Sequence, residues 1–190
     1  LGYGSITGIE IPGEVSGLIP DPEWKLKTKN ERWYLGNSYH MSIGQGDVLV
    51  TPIQVAQVTG VFANEGMICA PHLVKGDASC NKANINMADL ETVIAGMRAV
   101  CSPGGTAGVF NDVPYGVGCK TGTAEYGPRD EFGRRETHGW ITVMGIGNND
   151  EDMVRAKPFV VSVLVEGGGE GSIVAAPIAK EVMDYWYGLE

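Results

Sequence analysis

Three short runs with the pattern of β-strands, in the second half of the chain, constrain the fold more than any other feature. They cover residues 117–125, 139–147 and 158–166, and clusters of Gly, Asp and Asn separate them. Short runs rich in Val, Ile and Thr between such clusters predict β-strands, and strands adjacent in sequence most simply pair antiparallel. The third run, PFVVSVLVE, is nearly all apolar. We therefore predict that it is a central strand covered on both faces.

Helices are predicted on either side of these strands in the sequence. Residues 51–65 begin with a Thr-Pro pair that suits a helix start, and residues 87–101 carry apolar side chains at helical spacing. Residues 176–189 form a third amphipathic pattern. Residues 1–36 are rich in Gly and Pro and predict extended segments and turns without a long helix. The order of elements predicts an α+β fold in which helices pack on an antiparallel sheet.

The composition is that of a globular chain with an acidic balance. The 190 residues are 43% hydrophobic and 19% charged, with a formal net charge of −9. Because nucleic-acid binding normally requires a basic face, we expect no nucleic-acid partner. The chain contains no apolar run of about 20 residues and begins with Leu1 rather than Met. We expect it to be a fragment of a longer protein.

The four cysteines are Cys69, Cys80, Cys101 and Cys119. Their spacing matches no disulfide framework and no zinc motif, and the C-x-x-H pair formed by Cys69 and His72 has no second half. We therefore predict buried or half-buried free thiols and no metal site.

The stretch GCKTGTAEYG at residues 118–127 admits two functional interpretations. A phosphate-binding loop needs glycine directly before the lysine and a helix directly after it. Cys119 occupies the first position, and the residues after Lys120 contain two glycines and a proline without helical periodicity. This interpretation therefore fails on both sequence and context.

In the other interpretation the stretch is a strand that holds a carboxylate. Alternation places the hydroxyls of Thr121 and Thr123 on one side, about 7 Å apart. With the ammonium of Lys120 they could hold a carboxylate, while Gly122 would let a ligand backbone approach closely. A strand amide could also donate to an oxyanion, and the free edge could pair with an extended peptide. The tripeptide by itself is short and favours an ordinary strand with a stray lysine.

A wider resemblance favours the carboxylate-binding strand. Five ordered stretches carry it: YGSITGIEIPGEVSGLIPDPEWK, ERWYLGNSYHMSIGQGDVLVTPIQVA, CKTGTAE, HGWITVMGIG and VLVEGGGEGSIVAAPIAKEVMDYW. In that order they resemble the transpeptidase domain of class B penicillin-binding proteins, of the penicillin-binding protein 2 type. The resemblance runs from Leu1 to about Gly188 and is weakest in the 75–86 loop. It implies a penicillin-binding-protein transpeptidase or serine β-lactamase-like fold, with helices on both faces of an antiparallel sheet.

The resemblance also implies a chemistry and a set of site residues. Enzymes of this family use S-x-x-K, S-x-N and K-T-G motifs to form a serine acyl-enzyme from a D-Ala-D-Ala stem peptide, and β-lactams imitate that substrate. Lys120 would help to position the S-x-N serine and the negative charge of the substrate. Thr121 and Thr123 would contact the substrate carboxylate, the backbone N–H of Thr123 would be an oxyanion donor, and Gly122 is the family's glycine.

Further expectations concern cofactors, partners and location. The resemblance implies no cofactor and no metal. It implies peptidoglycan stem peptides and β-lactam antibiotics as ligands, and the cell-elongation machinery, which sets cell shape, as a partner. The parent protein would be membrane-anchored and work in the periplasm, at the outer face of the cytoplasmic membrane.

The chain departs from the family pattern in one respect, because it contains only one of the three motifs. Ser79 matches both S-x-x-K and S-x-N with the residues after it, but it lies in a polar loop and cannot fill two roles. We therefore expect residues 1–190 to be the C-terminal portion of a transpeptidase domain. The N-terminal part, with the nucleophile, would be a missing partner, and the fragment by itself would be inactive. The alternative is a β-lactam-sensing or catalytically silent module on the same fold.

We expect structural roles for four other features. We expect His138 to be structural or to lie at the rim of the cleft rather than to be catalytic. The glycines of SIGQG at residues 42–46 predict a tight turn, with a substrate contact as the alternative, and the GGGEG stretch predicts a turn before the last helix. The charged residues between the first two strands predict a solvated loop, with a flap beside the substrate groove as the alternative.

Overall fold

The computed structural model describes residues 1–76, 79–146 and 159–189 of the chain. Its first helices are α1 (Pro22–Lys29) and α2 (Leu35–Ser42), each eight residues long. Helix α1 was not predicted, because PEWKLKTK has no apolar period. It is instead defined by Asp21, whose side chain accepts from the N–H of Trp24 at 2.7 Å. In the described parts of the chain, no helix has the length and apolarity needed to cross a membrane.

Lys25 joins these two short helices. Its side chain is buried, and its Nζ lies 3.1 Å from a carboxylate oxygen of Glu31 and 3.0 Å from the amide oxygen of Asn37 in α2. A buried ammonium requires such partners, because taking an unpaired charge out of water is costly. The polar helix α1 is thus held by paired charge rather than by an apolar face.

The three predicted helices are present. Helix α3 covers Pro52–Ala63 and α4 covers Met87–Val100. The predicted last helix, residues 176–189, is present as α6 (Ala176–Tyr187), and a short helix that was not predicted, α5 (Gly171–Val174), directly precedes it. The end at Tyr187 is two residues earlier than predicted, because Gly188 adopts a left-handed conformation with φ of 74°.

The predicted sheet is three-stranded and antiparallel. It consists of β3 (Val117–Tyr126), β4 (Glu136–Gly145) and β5 (Val160–Val165) in the order β3–β4–β5. Residue 147, the predicted end of the second strand, and residue 158, the predicted start of the third, lie outside the described residues. Two further strands, β1 (Met67–Cys69) and β2 (Cys80–Lys82), pair as a separate hairpin.

The prediction that the third run is a central strand was wrong for the part of the sheet that the structure describes. There β5 pairs only with β4, and all six of its residues are half-buried. Its apolar sequence reflects the helices above and below it, since α3 and α6 both pack on it. An apolar sequence shows that both faces of a strand are covered, but it does not show how many neighbouring strands pair with it.

The helices lie on both faces of the sheet. On one face, Thr59 of α3 shares a hydrogen bond of 2.8 Å with Thr142 of β4, and α4 packs on β3. On the other face, the buried core joins the odd-numbered residues of the strands to α5 and α6. This core includes Cys119, Ile141, Val143, Ala179 and Met183.

The prediction of free thiols was wrong, because the structure has two disulfides. Cys69 and Cys80 face each other across the β1–β2 hairpin, and Cys101 at the end of α4 bonds to Cys119 of β3. Each pairing depends on elements that meet only in the folded chain. The sequence separations of 11 and 18 residues carry no signal of it.

Candidate functional site

Strand β3 leaves the core at the Lys-Thr-Gly-Thr stretch. Cys119 is fully buried, whereas Lys120 and Thr123 are exposed and Thr121 and Gly122 are half-buried. The whole stretch is extended, as predicted, and β3 forms an outer strand of the described sheet. One side of the strand is therefore directed away from the sheet.

Backbone groups of Thr123 point to this open side. Gly122 is opposite Trp140 and Thr123 is opposite Gly139 in the β3–β4 register. The carbonyl of Thr123 accepts a hydrogen bond of 2.7 Å from the side-chain amide of Gln45, which lies outside the sheet. Because the N–H and C=O of one residue in an antiparallel strand point to the same side, the N–H of Thr123 also faces away from β4. This is the orientation that a strand amide needs to donate to a bound oxyanion.

The ammonium of Lys120 also reaches the outer edge. The residue is directly opposite Thr142 on the face that carries α3, but its Nζ folds back and donates to the carbonyl oxygen of Thr121. One positive charge is thus held against the backbone of Thr121 at the outer edge of the strand.

The two threonine hydroxyls have different surroundings. Thr121 Oγ1 shares a hydrogen bond of 2.7 Å with Oγ1 of Thr106, from the turn after α4. The side chain of Thr123 is exposed. An ammonium, a pair of hydroxyls and an outward amide are groups that can hold a carboxylate and stabilise an oxyanion beside it.

Gly122 lies at a point of close packing. A Cβ added there would approach the Cβ of Trp140 to 3.2 Å. The first residue of α5, Gly171, is packed against the carbonyl of Gly122 and the backbone of Trp140, so that any side chain at Gly171 would overlap them. The GGGEG stretch thus forms the predicted turn before the last helices. It also places the start of α5 directly against β3.

Gln45 is a site residue that the sequence analysis missed. It lies between Gly44 and Gly46, which both have positive φ, 74° and 81°, so the predicted tight turn is present. The turn directs the Gln45 amide to the β3 edge. A long polar side chain between two turn glycines was the available signal. Thr106, which follows Ser-Pro-Gly-Gly, was also missed, because no local pattern in the sequence indicates its contact with Thr121.

His138 packs against the C-terminal end of β3. Its Nδ1 accepts from the N–H of Gly167 at 3.1 Å, and its ring stacks on Tyr126 with centroids 3.9 Å apart. Tyr126 donates in turn to Glu136, a hydrogen bond that raises the pKa of the phenol. These contacts agree with the structural role expected for His138.

The charged loop between β3 and β4 is exposed and closes on itself. Asp130 accepts from the N–H groups of Phe132 and Arg134, at 2.9 and 2.7 Å, and pairs with the Arg134 guanidinium at 3.3 Å. It is a solvated loop, as predicted, and it borders an open groove beyond Tyr126. Its alternative role as a flap remains a prediction.

Ser79 is not placed as a nucleophile of this family would be. It directly precedes β2, whose residues are all exposed, and its carbonyl accepts from the N–H of Ala70 across the hairpin. The S-x-x-K match at residues 79–82 is thus part of a surface hairpin and not the start of a buried helix.

The chain matches known proteins along almost its full length. The family model described as the penicillin binding protein transpeptidase domain matches residues 1–184. The peptidoglycan D,D-transpeptidase MrdA of Haemophilus influenzae is 33% identical over 208 residues, which cover 97% of this chain and 31% of the relative. MrdA of Escherichia coli K12 is 30% identical over 97% of this chain and 31% of the relative. The chain thus spans about a third of the length of the curated relatives it matches.

Solved structures show the same fold. Penicillin-binding protein 2 of Helicobacter pylori, in a complex with MreC, aligns with a TM-score of 0.76 at 32% identity, over 98% of this chain and 34% of that one. A chain of a peptidoglycan synthase complex aligns with a TM-score of 0.83 at 34% identity, over 100% of this chain and 32% of that one. The predicted fold, with an antiparallel sheet between helices, is therefore confirmed. With its Lys-Thr-Gly strand at the sheet edge, the chain belongs to the penicillin-binding protein transpeptidase domain family.

Proposed function

We propose that the full-length protein carrying this chain is a peptidoglycan D,D-transpeptidase that cross-links cell-wall stem peptides. The observation that carries the proposal is the outer edge of β3. There the ammonium of Lys120, the hydroxyls of Thr121 and Thr123 and the outward N–H of Thr123 lie along one exposed strand. The named functions of the MrdA relatives support the same activity.

In the proposed reaction, a serine outside these 190 residues is the nucleophile, and the β3 edge binds the substrate. The serine oxygen attacks the carbonyl carbon of the penultimate D-Ala, and the peptide bond to the terminal D-Ala breaks. The serine proton is passed to the departing amine, so that free D-Ala leaves and an ester remains. An amine of a neighbouring stem peptide then attacks the ester, restoring the serine hydroxyl and forming the cross-link.

The β3 edge would bind the substrate and stabilise charge in both steps. Thr121 and Thr123 would donate hydrogen bonds to the terminal carboxylate, which the ammonium of Lys120 also attracts. The N–H of Thr123 would stabilise the oxyanion that develops on the attacked carbonyl. Gly122 would let the peptide backbone approach the strand closely, and Lys120 would orient the second serine of the family pattern. β-Lactams carry the same carboxylate next to a reactive carbonyl and would form the corresponding ester.

The relatives support a proposal for partners and location. Because a penicillin-binding protein 2 relative is found with MreC and another in a peptidoglycan synthase complex, we include the cell-elongation machinery among the partners. Stem peptides lie outside the cytoplasmic membrane, so the active domain would work at its outer face. The chain described here would pair with the N-terminal part of its own domain to complete the site.

Covalent labelling by a fluorescent penicillin tests the proposal. The full-length protein should be labelled, and the 190-residue chain by itself should not be. Lys120→Ala should slow labelling on the order of a hundredfold, as removal of a charge-stabilising group in an acyl-transfer site commonly does. Lys82→Ala, at an exposed position in β2, is the matched control and should label normally. A full-length protein that stays unlabelled would overturn the proposal.

A second assay separates the transpeptidase from a β-lactam sensor. The full-length protein should release D-Ala from a stem pentapeptide and form a cross-linked product when an acceptor amine is supplied. Labelling by penicillin without release of D-Ala would identify the sensor or silent module instead.

A further inference from the structure

The turn that joins α4 to the rest of the fold is bonded to the site strand at two places. We call residues 101–107 the clamp turn. At one end, Cys101 is covalently bonded to Cys119, the residue directly before Lys120. At the other end, Thr106 Oγ1 lies 2.7 Å from Oγ1 of Thr121. Because Cys119 and Thr121 are two residues apart in a strand, both bonds lie on the same face of β3.

The clamp turn is itself held firmly. The N–H of Ala107 donates to the carbonyl of Val100 at 2.9 Å, and the N–H of Gly105 donates to Ser102 at 2.8 Å. A side chain at Gly105 would overlap the carbonyls at the end of α4, so the backbone is packed against the helix. Cys101 and Ala107 are buried, whereas Thr106 is exposed at the edge of the site. A rigid support thus presents a single hydroxyl to Thr121.

The hydroxyl pair has one proton left for a ligand. Each threonine hydroxyl has one O–H donor, and their mutual hydrogen bond uses one of the two. If Thr106 donates to Thr121, the Thr121 proton is available; if the direction is reversed, the Thr106 proton is. In both cases the pair presents one directed donor, and the carbonyl of the same Thr121 residue accepts from the ammonium of Lys120.

We propose that the clamp turn is a positioning device for the carboxylate-binding edge, in which Thr106 orients the hydroxyl of Thr121 and the Cys101–Cys119 disulfide fixes the turn against β3. Thr106 is thus a positioning residue for recognition of the ligand's carboxylate. The inference rests on the proposed function, since it assigns the supporting groups of the same site.

A pair of variants at Thr106 tests the hydroxyl. Acylation of the full-length protein by a chromogenic β-lactam, followed over a range of concentrations, separates the affinity of the initial complex from the rate of the covalent step. Thr106→Val should weaken the initial complex about tenfold, because the Thr121 hydroxyl that donates to the carboxylate loses the partner that orients it, with little change in the covalent step. Thr106→Ser, which restores the hydroxyl, should bring the affinity back to within about twofold of the wild type.

The ligand's charge provides a second readout. A β-lactam methyl ester has no carboxylate, so its reaction should be insensitive to Thr106→Val. Because Thr106 is exposed, the variant should fold, and its melting temperature should match that of the wild type. Equal affinity in the wild type and Thr106→Val would overturn the inference while leaving the proposed function intact. A wild-type protein that is never acylated would overturn both.

The two disulfides supply a matched comparison for the covalent part of the clamp. Replacing Cys101 and Cys119 together by alanine should weaken the initial complex about tenfold at a temperature where the variant is fully folded. Adding Thr106→Val should then have little further effect, because both changes release the same hydroxyl. Replacing Cys69 and Cys80, in the β1–β2 hairpin, should leave the affinity unchanged. An equal loss in both disulfide variants, or none in either, would overturn the role of the clamp disulfide.

Discussion

The side-chain amide of Gln45 donates to the carbonyl of Thr123 at 2.7 Å, although 78 residues separate them in the sequence. Gln45 belongs to the turn between α2 and α3, and its backbone N–H is bonded to the carbonyl of His40 at 2.9 Å. The contact therefore fixes the outer edge of β3 to an element outside the sheet.

Removal of the Gln45 amide should disturb the site without unfolding the protein. We expect Gln45→Ala to slow acylation of the full-length protein by about fivefold, the value of one neutral hydrogen bond, because the Thr123 peptide group loses its anchor. Gln45→Glu should be worse, because a carboxylate would face the carbonyl oxygen. Gln57→Ala is the control, since Gln57 donates to Cys69 away from β3. Acylation at the wild-type rate in Gln45→Glu would contradict the anchoring role.

A second prediction concerns the contact between the start of α5 and strand β3. Because a Cβ at Gly171 would overlap the carbonyl of Gly122, Gly171→Ala should destabilise the protein by about 1–3 kcal/mol, as overpacking does, and should also slow acylation. Gly96→Ala is the matched control. Gly96 lies inside α4 with nothing within 4 Å of its added Cβ, so the change should stabilise the protein by about 1 kcal/mol. Thermal unfolding of both variants measures the contrast, and similar melting temperatures would contradict it.

Local sequence signals predicted the elements whose determinants are local. Helices α3 and α4 were predicted to within two residues, because caps and helical periodicity lie inside each segment. Strand β3 was also predicted, with its two threonines on one side. Helix α1 was missed, since its stability comes from a cap and from the pairing of the buried Lys25 with the exposed Glu31 rather than from an apolar face.

The features that complete the site depend on long-range neighbours. No spacing in the sequence shows that Gln45 meets Thr123, that Thr106 meets Thr121, or that Cys101 bonds to Cys119. The outer position of β5 in the described sheet could not be predicted either, because it also depends on long-range neighbours. The pattern of polar and apolar residues shows whether a residue is buried, but not which element buries it. The long-range contacts of the site depend on the identity of that element.

Gln54 provides a test of how the N-terminal segment is attached. Its buried amide donates to the carbonyls of Ser5 and Ser16, at 2.7 and 2.8 Å, and accepts from the N–H of Thr51 at 2.9 Å. Gln54→Glu keeps the shape but removes both donations, so we expect a loss of about 3 kcal/mol in the free energy of unfolding. Gln57→Glu, which removes one donation, should cost about 1 kcal/mol. Chemical denaturation measures both, and equal losses would contradict the prediction.

The 190 residues expressed alone should self-associate. Leu35, Tyr39 and Ile43, at the i, i+4 and i+8 positions of α2 and its C-cap, are each more than 60% exposed, so the described residues leave this apolar row uncovered. Replacing Leu35 and Ile43 by glutamate should reduce the association seen by light scattering and the binding of a dye for apolar surface. Phe132→Glu, at an isolated exposed position, should not. A wild-type chain that stays monomeric and binds no dye would contradict the prediction.

Tyr115 links the end of α6 to the core. The residue is buried, and its hydroxyl donates to Asp184 at 2.6 Å; Asp184 also pairs with Lys180. Burial raises the pKa of the Tyr115 phenol, and the hydrogen bond to the Asp184 carboxylate and its charge raise it further. The folded protein therefore holds the phenol protonated under conditions in which the unfolded chain would ionise it.

The stability of the protein should consequently fall at alkaline pH. The contribution of Tyr115 is complete below pH 10.0, the ordinary pKa of a phenol, and is lost as the pH rises above that value, by up to about 1.4 kcal/mol per pH unit. Tyr115→Phe should lower the free energy of unfolding at pH 7 by about 1 kcal/mol and flatten its decline above pH 10. Tyr185→Phe, at an exposed position, should leave the curve unchanged. Denaturant unfolding between pH 8 and pH 11 measures the three curves. Parallel declines in the wild type and Tyr115→Phe would show that other groups cause the loss, because only the wild type retains the buried phenol at this position.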